Sequence, residues 1–252
     1  MLPMIVLSNS THISGNWMKE KHKKFELAYT HSDKQNKKEY VSFINIGIDS
    51  VDSFFSDDYK KSFSVIIHPN RHSLDSAWKN DWKMPDFTSE CWMVASGVAD
   101  KLDMISPKQW KEQSCEHDDA DKIKTQQLIT HELVHVFHGQ LNKSPDFSDV
   151  SGIDWFAEGL AAFASGQCDT EKILSIKKLI ADKKNPIELD NFWKGKYRYW
   201  LSGSMVMFID HAYGRATIIK LLPFNNKTEI LSYLHTTEAQ LINDWSKYIE
   251  KL

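Results

Sequence analysis

Two histidines four residues apart, with a glutamate directly after the first, stand in the stretch His131-Glu132-Leu133-Val134-His135. If this stretch is helical, the 3.6-residue period stacks His131 and His135 on one face, and both imidazoles can reach a single ion. Glu132 then lies about a quarter turn away, close enough to act on a metal-bound water and badly placed to be a ligand from the same turn. The chemistry such a set supports is hydrolysis. An imidazole-held Zn²⁺ acidifies its water, and the carboxylate takes the proton. The pattern is short, however. With eleven histidines in 252 residues, an amphipathic helix carrying histidines at a polar boundary would produce it as well.

A catalytic zinc usually has three protein ligands and keeps a fourth position for water, so the pair needs a partner. A histidine six residues past the second, with a glycine midway, is one solution; those places hold Leu141 and His138, which rules it out. His138 itself follows His135 by three residues, nearly on the same face, either beside the metal or as a boundary histidine. The other solution is a glutamate from a second helix. Glu158 stands in the apolar run Trp155-Phe156-Ala157-Glu158-Gly159-Leu160-Ala161, where a carboxylate is costly unless paired or bound to a cation. Its alternative is a place on the exposed stripe of an amphipathic helix. Ala157, Gly159 and Ala161 are small enough to predict close approach of the first helix.

These side chains need elements to hold them. A long helix is predicted over 122–141, after the acidic group 116–121 that would supply its cap and first-turn carboxylates. A polar loop punctuated by Pro145 and Gly152 follows, then a helix capped near Asp154 and ended by Gly166. Upstream, alternating apolar residues predict strands at 24–30 and 62–69 on either side of a helix over 37–55, and two short strand-like pieces around Gly97 and Asp100. Downstream the chain reads as helices at 171–182, 197–213 and 237–252. Strands early and helices late make an α+β protein, with a small mixed sheet and helices first and a mostly helical second half. Residues 1–24 read as an N-terminal extension and 25–252 as a single unit, with a sheet-bearing lobe at about 25–140 and a helical lobe at 141–252.

Composition sets the boundaries of function. The chain is 41% hydrophobic and 26% charged with nine tryptophans, the profile of a water-soluble globular protein. A formal net charge of -3 gives no reason to expect nucleic acid or an anionic membrane as partner. No apolar run is long enough to span a bilayer, and the opening MLPMIVLSNS lacks the basic start and cleavage site of a signal peptide. The expected location is the cytoplasm, or outside the cell if a signal precedes the sequence, and the expected state is a monomer. Cys91, Cys115 and Cys168 are odd in number and far apart, and read as unpaired thiols. Tryptophans such as Trp78, Trp82 and Trp193 read as core in preference to subsite walls.

In order along the chain, HELVHVFHG, WFAEGLAAF and YWLSGSMVMFIDHAYGRATIIKLL resemble the peptidase MA-like zinc metallopeptidases, gluzincins related in fold to thermolysin and to the alanyl aminopeptidases. The resemblance runs from about Phe25 to the C-terminus and implies a thermolysin-like zincin core. It implies that His131, His135 and Glu158 bind Zn²⁺ and that Glu132 is the general base. It further implies that Tyr199 donates to the oxyanion, although Tyr197 and Tyr213 lie on the same segment. A strand carrying Ser96, Gly97, Val98 and Ala99 would hold a peptide or protein substrate by strand addition. Two departures matter. The acid often found four residues after the metal glutamate is Ala162 here, leaving Asp154 as a possible substitute to orient a ligand histidine. The segment Ser96-Gly97-Val98-Ala99-Asp100 also lacks the aminopeptidase G-x-M-E-N motif. An endopeptidase is therefore favoured, with an aminopeptidase or a non-proteolytic zinc-binding scaffold as alternatives.

Overall fold

The computed structural model describes residues 17–252. Five strands form one mixed sheet: β1 (Trp17–Lys21), β2 (Phe25–Thr30), β3 (Phe63–His68), β4 (Ala95–Val98) and β5 (Lys101–Ile105), in the spatial order β1-β2-β3-β5-β4. The β2–β3 and β3–β5 pairs are parallel and the two outer pairs antiparallel. Parallel neighbours need crossovers. These are α1 (Lys37–Phe55) between β2 and β3, and α2 (Arg71–Asp81) between β3 and the β4–β5 hairpin. The short α3 (Trp110–Gln113) leads into α4 (Lys122–Leu141), and the second half is helical: α5 (Asp154–Ala164), α6 (Thr170–Ala181), α7 (Arg198–Tyr213), α8 (Arg215–Leu221), α9 (Lys227–Tyr233) and α10 (Glu238–Lys251). The mixed α/β character expected from the sequence is present. The sheet begins at Trp17, inside the stretch read as an extension.

Alternation decides which face of the sheet is covered. Phe25, Leu27 and Tyr29 of β2, Val65 and Ile67 of β3, and Leu102 and Met104 of β5 are all buried in the main core. Tyr40, Ile44 and Val51 of α1 and Ile129, Leu133 and Phe137 of α4 share that core, so both helices pack on the same side of the sheet. A smaller cluster, Leu74 and Trp78 of α2 with Val94, Ile105, Trp110 and Leu128, lies apart from it. Trp78 is thus core, as expected, and Trp82 stacks on it at 4.9 Å while staying partly exposed. Sequence periodicity missed α2, the four-residue α3, α8 and α9. α2 is rich in polar residues and α8 and α9 are seven residues each, too short to show two full turns of apolar spacing.

Two glycines let the central elements meet. A Cβ on Gly97 would lie 2.2 Å from the Glu132 carbonyl oxygen, so only glycine lets β4 cross α4 at the two-histidine turn. A Cβ on Gly159 would lie 2.4 Å from the Ser202 carbonyl oxygen. The small side of α5 therefore admits α7; the sequence had pointed to α4. The cap of α4 is Asp121, whose carboxylate accepts from the Lys124 N–H at 3.0 Å, and the other acids stop short of the first turn. Asp154 is the first residue of α5 and not its cap.

The thiols depart from expectation. Cys91 and Cys115 form a disulfide that closes a separation of 24 residues, and Cys168 alone is free. No spacing rule pairs two cysteines that distant. The Arg71 guanidinium ties the same segments together by donating to the carbonyls of Met93, Cys91 and Gln113. No described helix is long and apolar enough to cross a membrane.

Candidate metal centre

His131 and His135 lie in the middle of α4 and are 5% and 7% exposed, held in place by the buried face on which Leu133, Val134 and Phe137 sit. α5 brings Glu158 against them. The three ligand atoms converge: His131 Nε2 is 3.2 Å from His135 Nε2 and 3.3 Å from Glu158 Oε2, and His135 Nε2 is 3.5 Å from the same oxygen. Among the described residues this is the one group of three potential ligands so arranged.

His131 Nδ1 lies 2.9 Å from Gln167 Oε1, an amide oxygen that can only accept, so Nδ1 carries a hydrogen and Nε2 is the nitrogen turned inward, offering a lone pair whenever it is unprotonated. That lone pair faces a carboxylate oxygen and a second imidazole nitrogen. Such a convergence is suited to a cation at its centre, whether a metal ion or protons on the rings. Four ligands at the roughly 2.0 Å bond length of tetrahedral zinc stand about 3.3 Å from one another, and the observed 3.2 to 3.5 Å spacing fits. Burial alone would raise the Glu158 carboxyl; when the facing rings of His135 and His131 are protonated, their charge and N–H groups outweigh it and hold the group well below the usual carboxylate range.

Glu132 borders the cleft beside this group and is not one of the three. Burial pushes its carboxyl up to about 7; a protonated His131 and the Gly97 N–H pull it down, and the charge of Glu158 adds to the rise. Near neutrality a carboxylate can both take and return a proton. Tyr199, in the first turn of α7, stands edge-on to the His131 ring with centroids 5.8 Å apart, and its hydroxyl is kept protonated by burial and by the charge of Glu158. The two alternative tyrosines lie elsewhere: Tyr213 is at the far end of α7, and Tyr197 packs on Trp200.

Cavities of about 270 and 290 Å³ open on two sides of the centre and share Trp92, Ala95, Glu132 and Tyr199 in their walls. Leu128, Gln167 and Trp200 line the first; Phe147, Ile153, Asp154 and Trp193 line the second. Trp193 is therefore a wall of the cleft, where core had been expected. Ser96, Gly97 and Val98 lie on β4 at the sheet edge, and the Val94–Ile105 backbone bond sets the alternation by which Ala95 and Gly97 turn their backbone groups away from β5. Ala99 is not part of that edge. Its N–H donates to the Pro145 carbonyl and its own carbonyl accepts from Gln140.

Two other expectations are replaced. His138 is buried outside the cleft, its Nε2–H donating to the Leu222 carbonyl at 3.1 Å, and it is neither a ligand nor a boundary residue. Asp154 makes no hydrogen bond to either ligand ring; Gln167, just past the end of α5, orients His131 instead. Gln167 escaped sequence reasoning because it lies nine residues beyond Glu158, although the Ser165-Gly166 stop signal announced a turn there. The chain matches no protein-family model, and no curated protein matches it in sequence.

Proposed function

We propose that this protein is a zinc-dependent metallopeptidase of the gluzincin kind, built on a thermolysin-like core and acting as an endopeptidase. The observation that carries the reading is the inward convergence of the His131, His135 and Glu158 acceptors at tetrahedral spacing, with the Glu132 carboxyl beside them. His131, His135 and Glu158 would hold the ion, which when bound supplies a Lewis acid that acidifies water and polarises the scissile carbonyl. Glu132 takes a proton from the attacking water and delivers it to the departing amine. The Tyr199 hydroxyl donates to the oxyanion of the tetrahedral intermediate. The outer edge of β4, where Ala95 and Gly97 turn their backbone groups away from β5, pairs with an extended peptide, which favours substrates by backbone shape over sequence. Space on both sides of the centre supports cleavage within a chain. The Cys91–Cys115 bond supports an oxidising compartment over the cytosol.

Glu132→Gln is expected to lower kcat on a quenched peptide library by about 10²- to 10⁴-fold while zinc content stays at one ion per chain. Tyr199→Phe is expected to lower kcat by about 10²-fold or more with little change in KM. Wild-type turnover by the Glu132 variant would exclude the mechanism. A wild-type protein that binds zinc and cleaves nothing in the library would favour the scaffold reading.

A further inference from the structure

We infer that Gln167 is the positioning residue of the metal centre: its neutral side-chain amide, fixed by the turn that ends α5, locks His131 in the tautomer that binds the ion. The inference rests on the zinc reading and assigns the residue that prepares the site for it. The turn is a double one. The Gln167 N–H donates to the Ala162 carbonyl at 3.0 Å and the Gly166 N–H to the Phe163 carbonyl at 3.1 Å, the pair of bonds that closes a helix through a left-handed glycine. Gly166 has φ +75°, a conformation costly for a residue with a side chain, although the space around it is open. From α4 the Gln127 side chain donates to the Gly166 carbonyl at 2.8 Å, which ties the turn to the helix that carries both histidines. Gln167 therefore leaves a rigid corner, and its Oε1 meets His131 Nδ1 at 2.9 Å.

The identity of the partner has a chemical consequence. A carboxylate opposite Nδ1 would share the proton, push electron density onto the ring and add a negative charge to the centre; an amide orients the ring and adds none. With one anionic ligand, Glu158, the ion keeps more of its charge for the cleft.

The test measures zinc affinity directly, by competition with a chromophoric chelator, on the full chain. Gln167→Leu, which keeps the bulk and removes the acceptor, is expected to weaken zinc binding by about 10- to 100-fold. Gln167→Glu is expected to restore affinity to the wild-type value or beyond. Gly166→Ala is expected to fall between wild type and Gln167→Leu. Thermal unfolding of the metal-free forms controls for damage to the fold, with Gln167→Leu and Gln167→Glu expected to melt together. Equal zinc affinity for wild type and Gln167→Leu would overturn the inference and leave the zinc reading standing, as would failure of Gln167→Glu to recover what Gln167→Leu loses. No zinc binding by the wild type would overturn both.

Discussion

His138 shows how spacing can mislead when the surroundings are hidden. Three residues past His135 it shares the helical face of the ligands, yet Phe147 and Phe156 pack edge-on to its ring, Nδ1 has no partner, and burial pushes its pKa down to about 3 from 6.5. The sign of the consequence is fixed. Between pH 6.5 and about 3 the unfolded chain protonates this histidine and the folded chain does not, so stability is full above 6.5 and falls as the medium is acidified. The loss amounts to about 1.4 kcal/mol per pH unit in that window. Urea unfolding of the zinc-free protein between pH 7 and 4 should therefore show His138→Gln gaining on wild type by a few kcal/mol as pH drops. Parallel pH dependence in the two proteins would mean that His138 titrates normally in the fold.

Helices were the most legible elements. The predicted spans 37–55 and 122–141 coincide with α1 and α4, because each has an unbroken apolar face longer than four turns. The grouping of His131, His135 and Glu158 was legible for the same reason, since helical period fixes the first pair and a carboxylate in the apolar setting of Glu158 is costly without a positive partner. Contacts between distant loops were not. Gln167 and Trp92 reach the site from loops whose paths through space no local pattern encodes, and neither does any pattern pair Cys91 with Cys115. The disulfide flanks Trp92 on one side and Glu116 and His117 on the other, all three of which wall the first cavity. Closing 24 residues contributes about 3 kcal/mol by restricting the unfolded chain. Reduction should lower the melting temperature and raise KM through a loosened wall, with zinc affinity within about twofold of the oxidised protein, because α4 and α5 are not part of the loop. Chelator competition and steady-state kinetics on reduced and oxidised protein check this; a collapse of zinc affinity on reduction would show that the loop supports the metal centre itself.

Taken as a unit, the chain places the proposed catalytic set where its two halves meet. The sheet and α4 supply the histidines, Glu132 and the open strand edge, and the helical half supplies Glu158, Gln167 and Tyr199. The close passages at Gly97 and Gly159 bring these contributions within reach of one ion. An anomalous-difference map recorded at the zinc absorption edge, from crystals grown without chelator, examines this meeting point most directly. One peak is expected about 2.0 to 2.2 Å from the inward nitrogens of His131 and His135 and from a Glu158 oxygen. A map with no peak there, or a peak held by the histidines while Glu158 turns to solvent, would contradict the assignment.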